Sequence, residues 1–110
     1  MEISVKPLKE VDIVTVSGRI DSATAPEFDN ALKGLLEHGR RKLALDFADL
    51  SYVSSAGLRA MLSALKAAKN NGGNVVLVSA NERIRDTLTL VGFHTLFIQF
   101  NDVLDAVDSF

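Results

Sequence analysis

Ser54 and Ser55 close the stretch Asp46-Phe-Ala-Asp-Leu-Ser-Tyr-Val-Ser-Ser, and Ala56-Gly-Leu-Arg59 follows them directly. This segment runs from the end of a predicted strand, through a turn, into the start of a predicted helix. Ser54 or Ser55 is placed as the helix N-cap, with its hydroxyl facing the unpaired amides of the first turn. Gly57 carries no side chain in that turn, which leaves room for another backbone or a bulky group. A phosphate on Ser55 would sit at the positive end of the helix, within reach of backbone donors. The local pattern alone also fits a plain capping serine, a close-packing Gly57 and a turn-forming Asp21.

Other chemistries find little support. The chain has no cysteine, which excludes thiolate metal sites, disulfides and cysteine nucleophiles. Its two histidines, His38 and His94, lie far apart without ligand-like spacing, so no metal and no cofactor is expected. Ser55 lacks the Gly-x-Ser-x-Gly elbow of hydrolases, since Val53 stands where the first glycine belongs, and no histidine falls in a neighbouring loop. No phosphate-binding Gly-x-x-x-x-Gly-Lys-Ser/Thr occurs. Twelve Lys and Arg against fourteen Asp and Glu give a net charge of -2, with the cations scattered, so nucleic acid is not an expected partner. Met1 to Lys6 has no basic and apolar succession of a signal peptide, and no apolar run is long enough to span a bilayer. The cytoplasm is the expected location, without membrane insertion.

The elements that must position the serines follow from periodicity. With 110 residues, 47% of them hydrophobic and 24% charged, the chain is expected to form a single domain over residues 1–110. Ile3 and Val5 alternate with polar neighbours until Pro7 interrupts, and Val11 to Ser17 is β-branched, predicting a strand pair that turns near Lys9 and Glu10. Thr24-Ala-Pro-Glu27 matches a capping box with proline in the first turn. Phe28, Ala31, Leu32, Leu35 and Leu36 then mark an apolar helix face that Gly39 ends. Leu43 to Phe47 predicts a strand, and Leu58, Met61, Leu62 and Leu65 a helix broken by Asn70-Asn-Gly-Gly73. Val75 to Val78 predicts a strand. Ser79-Ala-Asn-Glu82 offers a second capping box before a helix with Ile84, Leu88 and Val91 inward, stopped by Gly92. Leu96 to Phe100 reads as a last strand, and Asn101 caps a helix carrying Val103, Leu104 and Val107.

The order is β-β-α-β-α-β-α-β-α. It implies an α/β fold: a mixed sheet with an initial antiparallel hairpin, then parallel βαβ units, covered by about four helices. The crossovers are expected to be right-handed, and parallel strands ending near Ser17, Phe47 and Val78 bring the loops 18–23, 48–55 and 79–81 to one rim of the sheet, where such folds keep their sites. Asp21, Asp49, Ser51, Ser54, Ser55 and Ser79 all lie in those loops.

Asp49-Leu-Ser-Tyr-Val-Ser-Ser-Ala-Gly-Leu58 resembles the signature of bacterial STAS-domain anti-sigma factor antagonists, an Asp-Leu-Ser stretch followed by Asp-Ser-Ser/Thr/Ala-Gly-Leu. The likeness spans essentially the whole chain. Gly18-Arg-Ile-Asp21 matches the family's Gly-x-Leu/Ile-Asp turn, and the Gly72-Gly73 turn and Val91-Gly92-Phe93 also fit. The resemblance places the phosphorylated serine on Ser55, an acidic neighbour of that site on Asp21, and an acidic strand-end position on Asp49. It implies a partner-binding surface around Asp21, Asp49, Ser51, Ser54, Ala56, Gly57 and Leu58. The sequence departs from the pattern at Ser54, where an aspartate is usual, and at Ala56, where Ser or Thr is; Ser54 is thereby an alternative acceptor.

What the resemblance implies is a non-enzymatic switch. Unphosphorylated, such a protein binds an anti-sigma factor that is also an ATP-dependent serine kinase; phosphorylation releases it, and a PP2C-type phosphatase resets it. ATP and its Mg2+ belong to the kinase. A monomer that forms heterocomplexes is expected, since no extra apolar stripe is left over. The alternative use of this domain is as an unphosphorylated subunit of a membrane transporter for lipids or anions.

Overall fold

The computed structural model describes residues 1–110. Its strands are β1 (Glu2–Leu8), β2 (Val11–Ile20), β3 (Lys42–Asp46), β4 (Leu50–Val53), β5 (Asn74–Val78) and β6 (Gln99–Phe100). Its helices are α1 (Ala25–Glu37), α2 (Ser55–Asn70), α3 (Glu82–Leu90) and α4 (Val103–Asp108), with a 3-10 turn at Phe93–Thr95. The sheet order is β1-β2-β3-β5-β6, with β4 paired to β2 off that path. Only β1 and β2 are antiparallel; every other pairing is parallel. The expected mixed sheet with four helices is therefore what the chain forms.

Strand alternation divides the interior into two layers. Val14, Val16, Leu43, Leu45, Val75 and Leu77 point to the larger core, which Phe28 and Leu32 of α1, Met61 and Leu65 of α2, and Ile84 and Leu88 of α3 complete. Val11, Ile13, Ala44, Val76 and Val78 point the other way, where α4 covers them with Ala106 and Val107. Val91 and Leu104, expected inside, are exposed, because α3 ends before Val91 and Ala106 takes the inward place on α4.

Five local expectations need correction. β1 continues through Pro7, which an edge strand tolerates because one side of it has no partner to bond. The last strand shrinks to Gln99–Phe100, since Phe93–Thr95 coils and Phe97 turns into the core. The cap of α3 is Asn81, not Ser79, and that of α4 is Asp102, not Asn101. Most important for the site, Leu50–Val53 is a strand, not a turn.

β2 is the reason that strand exists. It is ten residues long, and β3 flanks only Asp12 to Thr15. After an irregularity at Gly18 (φ +84°), its last residues lie free beside the chain leaving β3, and β4 fills the gap with Gly18↔Leu50, Arg19↔Tyr52 and Ile20↔Val53.

At the opposite end of β2, Asp12 is 5% exposed, and its Oδ2 accepts from Arg40 Nε at 2.6 Å. The other ion pairs, such as Lys33–Asp29, are more exposed. Arg40→Ala strands a buried carboxylate, so it should lower the urea midpoint more than Lys33→Ala or Lys42→Ala does.

Candidate functional site

Ser54 is the N-cap of α2. Its backbone is extended (φ -80°, ψ 169°), and its Oγ accepts from the Gly57 amide at 3.2 Å. Its own amide donates to the Ile20 carbonyl at 2.7 Å, tying the helix start to the end of β2. Ser55, the first helical residue, is exposed, and its hydroxyl takes no part in the hydrogen bonds that build this turn. The two adjacent serines are thus unequal: one hydroxyl is committed to the backbone and the other faces water.

Gly57 and Leu58 hold this turn from inside. A Cβ on Gly57 would lie 2.7 Å from Ile20 Cγ2 and 2.8 Å from Val53 Cγ2, so the space expected for an approaching group is filled by the ends of β2 and β4. Leu58 is 8% exposed and belongs to the larger core. Ala56 is half-buried. From Ser54 to Leu58, Ser55 is the one residue that is exposed.

Asp21 organises the loop before α1. Its Oδ1 accepts from the amides of Ala23 and Thr24, each at 3.0 Å, and from Thr24 Oγ1 at 3.1 Å. The expected Thr24–Glu27 capping box does not form, because Thr24 Oγ1 turns back to accept from the Asp21 amide at 2.9 Å. Chiefly the Thr24 backbone bond, then the Thr24 hydroxyl, hold the Asp21 carboxyl below the usual aspartate range. A depressed folded value means that the loop gains stability above the ordinary aspartate pKa and loses it as pH falls through the folded value. A carboxyl-carbon NMR titration should therefore place the Asp21 midpoint below that of the same residue in the urea-unfolded chain.

The three loops do meet on one rim, through specific bonds. The Gly18 amide donates to the Asp49 carbonyl at 3.0 Å, Ser51 Oγ to the Gly18 carbonyl at 2.9 Å, and Asn81 Nδ2 to the Leu50 carbonyl at 2.6 Å. Asp49 and Ser51 belong to the Gly18 end of this rim, however. Asp49 lines a depression with Ser17 and Glu27, and the extended β4 puts its backbone about 15 Å from Ser54. Ser79 is remote from the serines in another sense: its Oγ donates to the Asn101 carbonyl at 3.0 Å, and its φ of +57° orders the turn into α3.

Two features of the rim escaped the sequence reading. The Arg19 guanidinium lies 4.3 Å from the centroid of the Tyr52 ring, a cation–π pair on the outer face of β2 and β4. Asn81, which caps α3 and bonds Leu50, is the other. Both depend on β4 being a strand: only the pairing Arg19↔Tyr52 brings the first two together.

Comparison with known proteins agrees with this architecture. The model of the STAS domain matches residues 2–106. The anti-sigma-B factor antagonist of Staphylococcus epidermidis is 28% identical over 98 residues, 87% of this chain and 91% of that protein. The crystal structure of an anti-sigma factor antagonist from Mycobacterium paratuberculosis superposes with a TM-score of 0.88 at 23% identity, covering 98% of this chain and 92% of that one. SpoIIAA superposes in its unphosphorylated form with a TM-score of 0.85 at 14% identity, covering 98% of this chain and 95% of that one. The phosphorylated Bacillus form gives 0.78 at 14% identity, covering 98% of both chains.

Proposed function

This chain belongs to the STAS domain family, and we propose that it is an anti-sigma factor antagonist switched by phosphorylation of Ser55. The observation that carries the proposal is the inequality of the serines: Ser54 Oγ is engaged by the Gly57 amide, and Ser55 is exposed. The relative in Staphylococcus epidermidis bears the antagonist name, and SpoIIAA, of the same fold, has been solved with and without phosphate.

In this reading the chain is a substrate and a binding module, not an enzyme. An anti-sigma factor with serine kinase activity docks on the rim around Ser55 and transfers the γ-phosphoryl group of ATP. A bond forms between Ser55 Oγ and phosphorus, the bond from phosphorus to the ADP oxygen breaks, and the hydroxyl proton passes to a base of the kinase. A PP2C-type phosphatase returns the hydroxyl by hydrolysis, releasing inorganic phosphate. His38, whose Nδ1 lies 2.7 Å from the Gly34 carbonyl at the end of α1, and His94, in the 3-10 turn, are not part of this rim.

Charge is the means of release. The phosphate brings about -1.5 to -2 charges to a surface expected to be buried against the partner. Asp21 adds to the negative field, since it follows directly on Ile20, whose carbonyl binds the Ser54 amide. Asp49 adds little: a separation of about 15 Å exceeds the Debye length of about 8 Å at physiological salt.

Phosphosite mapping by mass spectrometry on protein isolated from its own cells under two growth conditions tests this. Phosphate on Ser55 that varies with condition is the expected result. Phosphate on Ser54 would keep the mechanism and move the site. Unmodified serines in both conditions would overturn the switch.

A further inference from the structure

We infer that Arg59 is the built-in counter-ion of the phosphorylated state: phosphate on Ser55 draws the Arg59 guanidinium onto itself and out of the groove between α1 and α2. The inference rests on Ser55 being the acceptor, and it adds a second change of surface to the one the phosphate makes itself.

Arg59 is a cation in search of an anion. Four of the twelve Lys and Arg residues are in ion pairs, Lys9, Lys33, Arg40 and Lys42. Arg19 stacks on Tyr52, and Arg85 Nη1 donates to the Ala80 carbonyl at 2.6 Å. Arg59 is exposed and has none of these attachments. It lines a groove of about 360 Å³ together with Ser22, Ala25 and Pro26 at the start of α1. Asp29, the carboxylate in the same groove, is already held by Lys33 Nζ at 2.7 Å.

Its position relative to Ser55 is set by helix geometry. The two residues are exposed and four apart on α2, so their Cβ atoms are about 6 Å apart on one face. Side chains on a helix lean toward its N-terminus, and a long one covers the turn before it. For Arg59 that turn is the one that begins with Ser55. An unmodified hydroxyl gives the guanidinium no charge to hold, whereas phosphate offers several oxygens that match its planar fork. An aspartate at position 55 does this less well: its oxygens end about where the phosphorus would be, one bond short and with about half the charge.

Phosphorylation then edits two places together. It adds an anion at the head of α2, and it withdraws the free cation from the groove beside it. A partner whose acidic side chain uses Arg59 loses that contact at the moment the phosphate repels it.

The test is a phosphorus-NMR pH titration of protein with phosphoserine installed at position 55 during synthesis, which needs no kinase. The other charges on the neighbouring elements are Asp21 on the loop before α1, Arg19 on β2, and the Asp29–Lys33 pair on α1. A neighbouring cation favours the dianion, so the second ionisation of the wild type should lie about half a unit below that of Arg59→Gln. The gap should narrow as salt is raised. Arg59→Gln replaces an exposed helical residue with another good helix former, and circular dichroism checks that the fold is kept. Superimposed titrations of wild type and Arg59→Gln would overturn the inference, as would a shift produced by Arg19→Gln and not by Arg59→Gln. A failure to find phosphate on Ser55 in cells would remove the switch while leaving this titration intact, so the two ideas fail separately.

Discussion

Phosphoserine at position 55 should weaken binding of the anti-sigma partner more than a hundredfold, and Ser55→Ala should bind it at full strength in every growth condition. A hundredfold corresponds to about 2.8 kcal/mol at about 1.4 kcal/mol per decade. Like charges brought together in a desolvated interface cost several kcal/mol, so phosphate alone accounts for the effect without any refolding. Ser55→Asp should fall between the two, because a single carboxylate carries less charge. The Ser55→Ala protein is the natural bait for isolating the partner, and isothermal titration calorimetry of that partner against the three forms gives the comparison. Equal affinity for Ser55→Asp and wild type would mean that charge at this position does not drive release.

Gly73→Ala should cost about 3 kcal/mol or more in urea unfolding, the largest stability loss expected from so small a change. A Cβ there would collide with the Arg41 carbonyl oxygen and lie 2.8 Å from Arg41 Cβ. That oxygen is engaged: it accepts from the Asn74 amide at 2.9 Å, at the point where β5 enters its register beside β3 with Lys42↔Asn74. The backbone cannot yield without undoing the pairing of the two central strands. Gly72→Ala is the control. Gly72 has φ +79° and open space around it, so its substitution should cost only about 1 kcal/mol, the penalty of a left-handed conformation. Equal losses at 72 and 73 would show that the close approach to Arg41 is not what requires glycine.

The long, strongly patterned elements were legible in the sequence. The stripes Phe28–Leu32 and Leu58–Met61–Leu65 reached the core as expected, and with them the α/β order and the rim. β4 was not legible, because Leu50-Ser-Tyr-Val53 does not alternate: its outer two residues are buried and its middle two exposed. It becomes a strand only because β2 outruns β3, a fact about two distant segments. The caps failed for a related reason. Thr24 and Ser79 both match the capping-box spelling, but Thr24 Oγ1 turns back to the Asp21 amide, Ser79 Oγ goes to the Asn101 carbonyl, and Asn81 takes the first-turn amide of Ile84 instead. At the serines, the sequence left the helix cap open between Ser54 and Ser55; the bond from the Gly57 amide assigns it to Ser54.

The bond from the Ser54 amide to Ile20 has a consequence for signalling. It pins the first turn of α2 to a ten-residue strand, so Ser55 stands beside a hydrogen-bonded frame. In the proposed switch the mark would be read at the surface around it, by a partner that meets the phosphate or the groove beside it. In that switch, carried by a monomer, the response would follow the modified fraction in direct proportion, and binding curves should have a Hill coefficient of about one. On that reading a sharp threshold would come from the opposing activities that write and erase the mark, not from the protein that carries it.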